Sequence, residues 1–347
     1  MIVVYDDGHL EEALEKAAKV SREYPLVVSK FITNAKEVEI DAVSDGSNIF
    51  IGAIIEHVEN AGLHSGDATM SIPTLTLSEA VKEELRQSTR KIARSLRIHG
   101  PFNIQYLVKD GRIYVIECNL RASRSMPFVS KTVGINLMEV AADAILGKKI
   151  VNGEAEPRKF CVKTPQFSFM RLEGADPVTG VEMVSTGEVA CFGESFEEAL
   201  LKSLIAAEFR MPREGEHVLF TVGGEKEGVV PIAERLVEAG FRLYATENTA
   251  ETLEGHGVPC EVLRKVREGD PNILDYIMEG KIKIVVNILS LDNGLISREI
   301  VEDEYLIRRR AAEFGVPVIT NLELAEALAK ALAGLGNGRL IKEVEHS

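Results

Sequence analysis

The chain has 347 residues, of which 45% are hydrophobic and 27% charged, with a formal net charge of −14. That is a globular balance with room for about two domains. The negative charge argues against general binding to nucleic acid or to an anionic membrane surface, and no apolar run is long enough to span a bilayer.

The first residues carry no basic leader, so no secretory signal is expected. The four cysteines (Cys118, Cys161, Cys191 and Cys260) are far apart and form no C-x-x-C, which reads as reduced thiols in a cytoplasmic protein. Ile2 to Tyr5 is strand-like, and His9 to Tyr24 has the period of an amphipathic helix ended by Pro25. Leu26 to Phe31 and Glu37 to Ala42 are predicted strands. The second places Glu37, Glu39 and Asp41 on one face, read as the wet side of a sheet or as a carboxylate for ribose hydroxyls. Asp45-Gly46 is a hairpin turn and Ile49 to Ile55 the return strand.

Glu56 to Ala68, EHVENAGLHSGDA, is read as a functional loop. Its histidines, His57 and His64, lack zinc-ligand spacing and are expected to serve as loop hydrogen-bonding residues. Ser78 to Leu96 is a predicted helix with Ser78 as its cap.

The next stretch, His99 to Ser125, carries the clearest chemistry. Asn103 to Val108 and Ile113 to Glu117 form a hairpin around Lys109-Asp110-Gly111-Arg112. Alternation puts Glu117 and Asn119 on one face, with Gln105 beside them and Cys118 turned away as a packing residue. One carboxylate and two neutral oxygens suit Mg²⁺ or Mn²⁺, and Mg²⁺ keeps room for phosphates. Arg121 and Arg124 follow, with guanidinium forks for phosphate oxygens. The pattern points to a metal-nucleotide site that handles phosphoryl groups.

Downstream, Asn136 to Leu146 is helical, 151 to 170 extended, and Ser195 to Phe209 a helix with a capping box. Met211 to Glu216 reads as a linker, so removing the chain beyond it is expected to leave catalysis and abolish effector response. Strands at Val218 to Val222, Arg242 to Ala245, Cys260 to Leu263, Lys283 to Asn287 and Pro317 to Thr320 then alternate with helices. The helices fall near Gly228 to Ala239, Asn272 to Glu279, Glu302 to Phe314 and Asn321 to Leu332. Such βα alternation predicts a parallel sheet with ligands at the strands' carboxyl ends, where Lys226, Thr246, Thr249, Lys265 and Asn287 lie. Arg308-Arg309-Arg310 is read as a solvated helix face, and Gly334 to Ser347 as a frayed tail.

EHVENAGLHSGDA, NIQYLV, VIECNLRASRSMPFVSKTVG and STGEVA resemble the large subunit of carbamoyl phosphate synthetase, at the C-terminal section of that subunit. The resemblance implies an α/β chain. Residues 1–211 would be a partial ATP-grasp lobe that starts inside that fold. Residues 212–347 would be a Rossmann-like parallel-sheet domain of the methylglyoxal-synthase type. It implies ATP-dependent phosphorylation of carbamate, for pyrimidine and arginine biosynthesis, with Mg²⁺ or Mn²⁺ on Gln105, Glu117 and Asn119. Lys30, Ile32, Glu37, Gly62, Leu63, His64 and Ser65 would contact nucleotide, as would the metal ligands Gln105 and Glu117. Arg121, with Arg124, would hold the transferring phosphate. Phosphate-bearing effectors would meet Lys226, Thr246, Thr249, Lys265 and Asn287, and an amino-acid activator Glu59 and Asp67. The implied partners are a separate N-terminal section and a small glutamine amidotransferase subunit, and the lone chain is expected to be inactive. The rival reading is a non-catalytic regulatory subunit that binds an effector. This chain has Ile288-Leu289 where the family has a threonine pair, and Glu247-Asn248 between the two phosphate threonines, which is expected to weaken nucleotide regulation.

Overall fold

A computed structural model describes residues 3–4, 6–20, 25–289 and 298–334. Helix α1 (Asp7–Val20) and an irregular, exposed stretch at 25–34 precede the first sheet. The strand expected at Leu26 to Phe31 is absent there. No neighbouring strand pairs with it, and Val27 and Val28 face solvent. Val3 and Val4 are likewise outside any strand, while Ile2, Tyr5, Tyr24 and residues 335–347 lie outside the described residues.

The first sheet takes up β1 (Lys36–Asp45), β2 (Ile49–Asn60), β3 (Met70–Ile72), then α2 (Glu79–Ser95), β4 (His99–Lys109) and β5 (Arg112–Asn119). Helices α3 (Met126–Val133) and α4 (Leu137–Ile145) lead to β6 (Gly153–Glu154), β7 (Phe160–Gln166), β8 (Gly187–Gly193) and α5 (Phe196–Ala206). Among the described residues the order is β5-β4-β1-β2-β3-β7-β8, antiparallel throughout, with β6 added parallel to β2. The β4–β5 turn has positive φ at both Asp110 and Gly111, the geometry a tight two-residue hairpin needs.

Period two sorts the strands cleanly. Val38, Ile40, Ala42, Ile104 and Tyr106 face one side and pack under Val81, Leu85 and Ala93 of α2. Each fully buried apolar side chain there contributes roughly 2 kcal/mol. Cys118 packs on this side, as its alternation predicted. On the opposite side Val43, Phe50 and Ala53 are covered by Val129, Leu137 and Ala141 of α3 and α4. That cover stops short of Glu37, Glu39 and Asp41, which leaves a polar floor at that end of the sheet.

The second sheet begins with β9 (His217–Val222) and continues through α6 (Val230–Glu238), β10 (Arg242–Ala245), α7 (Glu247–Gly255) and β11 (Glu261–Val262). It then runs through α8 (Ile273–Met278), β12 (Ile282–Ile288), α9 (Arg298–Glu313), β13 (Val318–Ile319) and α10 (Leu322–Gly334). All pairs are parallel, in the order β11-β10-β9-β12-β13. One hydrophobic core runs through both sheets' helices. Leu200, Leu201 and Leu204 of α5 share it with Leu328 and Leu332 of α10, and it also holds Val58 and Val162 of the first sheet.

Candidate active site

The register builds the site. Glu39 pairs with Gln105, and Gln105 with Glu117, so the three stand in a row across β1, β4 and β5. Asp41, Asn103 and Asn119 form the next row, two residues along. A bulge between Gln105 and Tyr106 separates these rows from the hairpin tip. Asn119 Nδ2 donates to Glu117 Oε1 at 2.7 Å, and Gln105 Nε2 donates to Ser65 Oγ at 3.2 Å. Both amides use their nitrogens in these contacts, so their oxygens remain as acceptors beside the Glu117 carboxylate. One carboxylate and two neutral oxygens on a single face fit a hard divalent cation.

Above this floor lies a cavity of about 330 Å³. Its lining brings together His64, Ser65, Gln105, Asn119, Arg121 and Arg124. Glu117 is exposed and is not part of this lining; it pairs in register with Gln105, which is. Gly66 lets the loop close on the basic wall, because a Cβ there would collide with the Arg124 guanidinium. Arg124 also donates to Met183 Sδ at 3.3 Å and lies 3.8 Å from Glu188.

Several functional side chains emerge only in three dimensions. Lys163 on β7 is buried under the loop, and its Nζ donates to the carbonyls of Ser65, Gly66 and Ala68 at 3.2, 3.2 and 2.7 Å. Burial pushes its pKa down. A lysine directly after the apolar run Phe160 to Val162 was the available signal for it. Asn103 joins Glu39 and Asp41, donating at 3.0 and 2.9 Å, and its even spacing from Gln105 marked it.

The acidic face is not wet. Glu37, Glu39 and Asp41 are all buried, with His57 and Asn103 on Glu39, and Asn103 with the arginine loop's Ser123 and Ser125 on Asp41. Burial pushes the Glu37 carboxyl up, against the pull of His57. His57 is not a loop residue either. Strand β2 extends to Asn60, and the imidazole sits buried with Nε2 at 3.2 Å from Glu39 Oε1. Burial opposes the charge on both partners, yet their contact prevails: His57 is raised and Glu39 lowered.

Other expected contacts fall elsewhere. Lys30 lines a separate groove between α1 and 26–31, and Ile32 lies on the same irregular stretch. Phe31 approaches Gly62 from there. Leu63, Glu59 and Asp67 line a second cavity of about 200 Å³ where the two sheets' helices meet, with Phe167, Leu204 and Leu324. Glu59 accepts from Thr69 N at 2.8 Å, and Asp67 from Val184 N and Ser185 N, each at 2.9 Å.

In the second sheet, Thr246 and Thr249 touch at 3.2 Å just past β10, and Asn287 lies next to last in β12, two strands away across β9, all at carboxyl ends. The two lysines do not join them: Lys226 donates to Gly224 O and Lys265 pairs with Glu268. Asn287 is held instead by Thr221, Glu304 and Arg308. The solvated reading of Arg308 and Arg309 fails for the same reason. Both are buried, Arg308 on Asp176 and Arg309 on the carbonyls of Phe169, Leu172 and Ala175. Their partners lie more than a hundred residues upstream, beyond the reach of local pattern.

An antiparallel sheet with this hairpin and a basic loop over it, joined to a parallel-sheet domain, has the layout of an ATP-grasp fold followed by a second α/β domain. Residues 1–152 match the family described as carbamoyl-phosphate synthase L chain, ATP binding domain, and residues 228–320 match the MGS-like domain. The chain thus carries a segment matching the carbamoyl-phosphate synthase L chain ATP binding domain, followed by one matching the MGS-like domain. It is 39% identical over 355 residues to "Carbamoyl phosphate synthase large chain, C-terminal section" of Methanocaldococcus jannaschii, covering 98% of this chain and 56% of that protein. It is 42% identical to "Multifunctional protein URA2" of Saccharomyces cerevisiae over 96% of this chain and 15% of that one. The human "Carbamoyl-phosphate synthase [ammonia], mitochondrial" is 40% identical over 96% and 23%. The chain thus spans little more than half of even the shortest of these relatives. Among the described residues, no helix is long and apolar enough to cross a membrane.

Proposed function

We propose that residues 1–211 form the phosphoryl-transfer part of a carbamoyl phosphate synthase, converting carbamate and ATP to carbamoyl phosphate and ADP, and that residues 212–347 form its regulatory part. The observation that supports this best is the single cavity shared by Gln105, Asn119, Arg121, Arg124, His64 and Ser65. Gln105, Glu117 and Asn119 would hold Mg²⁺ or Mn²⁺, which supplies charge neutralisation at the ATP phosphates. Arg121 and Arg124 face the same space and hold the equatorial oxygens of the moving phosphoryl group. Their fixed charges need no reorganisation as negative charge shifts toward ADP. His64 and Ser65, pinned from below by Lys163, place the nucleotide side of the cavity. Lys30, Ile32, Glu37, Gly62 and Leu63 complete the nucleotide contacts once a partner lobe docks against α1 and the 25–34 stretch.

The partners in this reading are a separate N-terminal section of the large chain and a small glutamine amidotransferase subunit. The product serves pyrimidine and arginine biosynthesis. Glu59 and Asp67 belong to an amino-acid effector site in the inter-sheet cavity. Lys226, Thr246, Thr249, Lys265 and Asn287 belong to a phosphate effector site in the second sheet.

The test is Glu117→Gln in the complex reconstituted with the N-terminal section, assayed with bicarbonate, ammonia and ATP. Carbamoyl phosphate formation is expected to vanish with the fold intact. Near-wild-type turnover would refute the assignment, and full turnover by the lone wild-type chain would refute the two-chain requirement.

A further inference from the structure

We propose that Asp41 is the positioning residue of the arginine loop, a buried carboxylate that ties Ser123 and Ser125 to the sheet and so aims Arg121 and Arg124 into the cavity. For its chemistry this rests on the phosphoryl-transfer reading; the anchor itself does not.

Asp41 is wholly buried in the middle of β1. Its Oδ1 accepts from Ser123 Oγ at 2.6 Å and from Asn103 Nδ2 at 2.9 Å, and its Oδ2 accepts from Ser125 Oγ at 2.7 Å. The two serines bracket Arg124 and lie 2.9 Å apart. Ser123 Oγ also receives the Met126 amide at 3.1 Å, so the same tie sets the first turn of α3. Among the described residues, no other side chain of the sheet hydrogen-bonds residues 120–125. Arg121 itself donates only to the neighbouring Ala122 carbonyl, at 3.2 Å.

The chemistry explains the residue type. Three donors converge on two oxygens, and only a carboxylate accepts from all of them without turning one of its own atoms into a donor. A charged acceptor also makes shorter, stiffer bonds than a neutral one, as these distances show. An arginine's aim depends on its backbone, and misplacement by about 1 Å costs on the order of a hundredfold in rate. A residue that never touches the phosphate thereby sets where the guanidinium forks stand.

The experiment uses the reconstituted complex and reads ATP formation from ADP and carbamoyl phosphate, the proposed reaction in reverse. Asp41→Asn and the double variant Ser123→Ala/Ser125→Ala are each expected to lower kcat about tenfold or more while the KM for ADP stays within about twofold. In an Arg124→Ala background the Asp41→Asn change is expected to cost less than it does in the wild-type chain, because the loop has already lost one of the two side chains that the anchor aims. Hydrogen exchange at residues 120–126 is expected to speed up in both variants. Unchanged exchange in the serine pair, or full additivity with Arg124→Ala, would overturn the proposal. A complex that makes no ATP while the variants still free the loop would refute the phosphoryl-transfer reading and leave the anchor standing.

Discussion

Arg308 on α9 grips Asp176 with two arms of its guanidinium, at 2.7 and 2.6 Å, and gives the third to Asn287 at 2.9 Å. Asp176 lies on the segment between β7 and β8, whose further end reaches the cavity. Gly180 accepts from the His64 amide at 2.6 Å, and Met183 touches Arg124. One stretch of chain thus joins the carboxyl end of β12 to the basic wall of the site. Arg308→Ala is predicted to cost about 2 kcal/mol, a figure held down by the partly exposed Asp176, and to speed exchange at residues 169–176. Arg308→Lys is predicted to restore less than half of that, because an ammonium cannot form the fork. Thermal unfolding with hydrogen exchange checks both.

Lys163→Met keeps the length of the side chain and removes its donors. Three carbonyls of the 65–68 loop lose their partner, and the carboxylates of Glu188, Glu39 and Glu59 lose a counter-charge. A loss of about 2 to 4 kcal/mol is expected. The KM for nucleotide is expected to rise more than kcat falls, since His64 and Ser65 ride on that loop. A melting curve and a steady-state titration measure the two effects.

Asp41 gives stability a signature in pH. Burial raises its pKa to about 6, against the hydrogen bonds from Ser123, Asn103 and Ser125 and with help from the Glu39 charge. The folded state therefore holds a proton that the unfolded state has released between about pH 4 and pH 6. Folding is favoured as pH falls through that window, and the ionisation cost at neutral pH is on the order of 3 kcal/mol. Asp41→Asn removes this slope. Its stability is predicted to be flatter than wild type between pH 4 and 6, with denaturant midpoints at several pH values as the measurement. An unchanged slope would place the proton elsewhere, on Glu37 or Glu59, whose carboxyls burial also pushes up.

Removal of the chain from residue 212 onward looks harmless from the linker-like Met211 to Glu216. The shared core says otherwise. Leu200, Leu201 and Leu204 pack in the same cluster as Leu328 and Leu332, so the truncated chain is predicted to expose that face and to aggregate. Light scattering of the 1–211 fragment against the whole chain tests this.

Much of this molecule follows from short-range pattern. Alternation placed Gln105, Glu117 and Asn119 together, because a hairpin ties its two strands within a few residues and period two does the rest. The same rule put Cys118 in the core and Glu37, Glu39 and Asp41 on one face. What it lacked was the neighbour on the far side. Whether an acidic face is wet depends on the arginine loop folding back some eighty residues later, and Asp41 with Ser123 is 82 apart. Arg308 and Arg309 misled for the same reason, since a cationic run on a helix reads as solvated until Asp176 and three carbonyls arrive from another sheet. Leu26 to Phe31 shows the converse: strand-forming composition makes no strand where no partner strand lies alongside.

The continuous core from β2 through α5 to α10 bears on how such a chain can change over generations. The parallel-sheet half is not a cassette to be exchanged at a linker. A replacement would have to bring a helix whose apolar face interlocks with Leu200 and Leu204, or leave them bare. Substitutions on α5 and α10 are therefore bound to each other across that core.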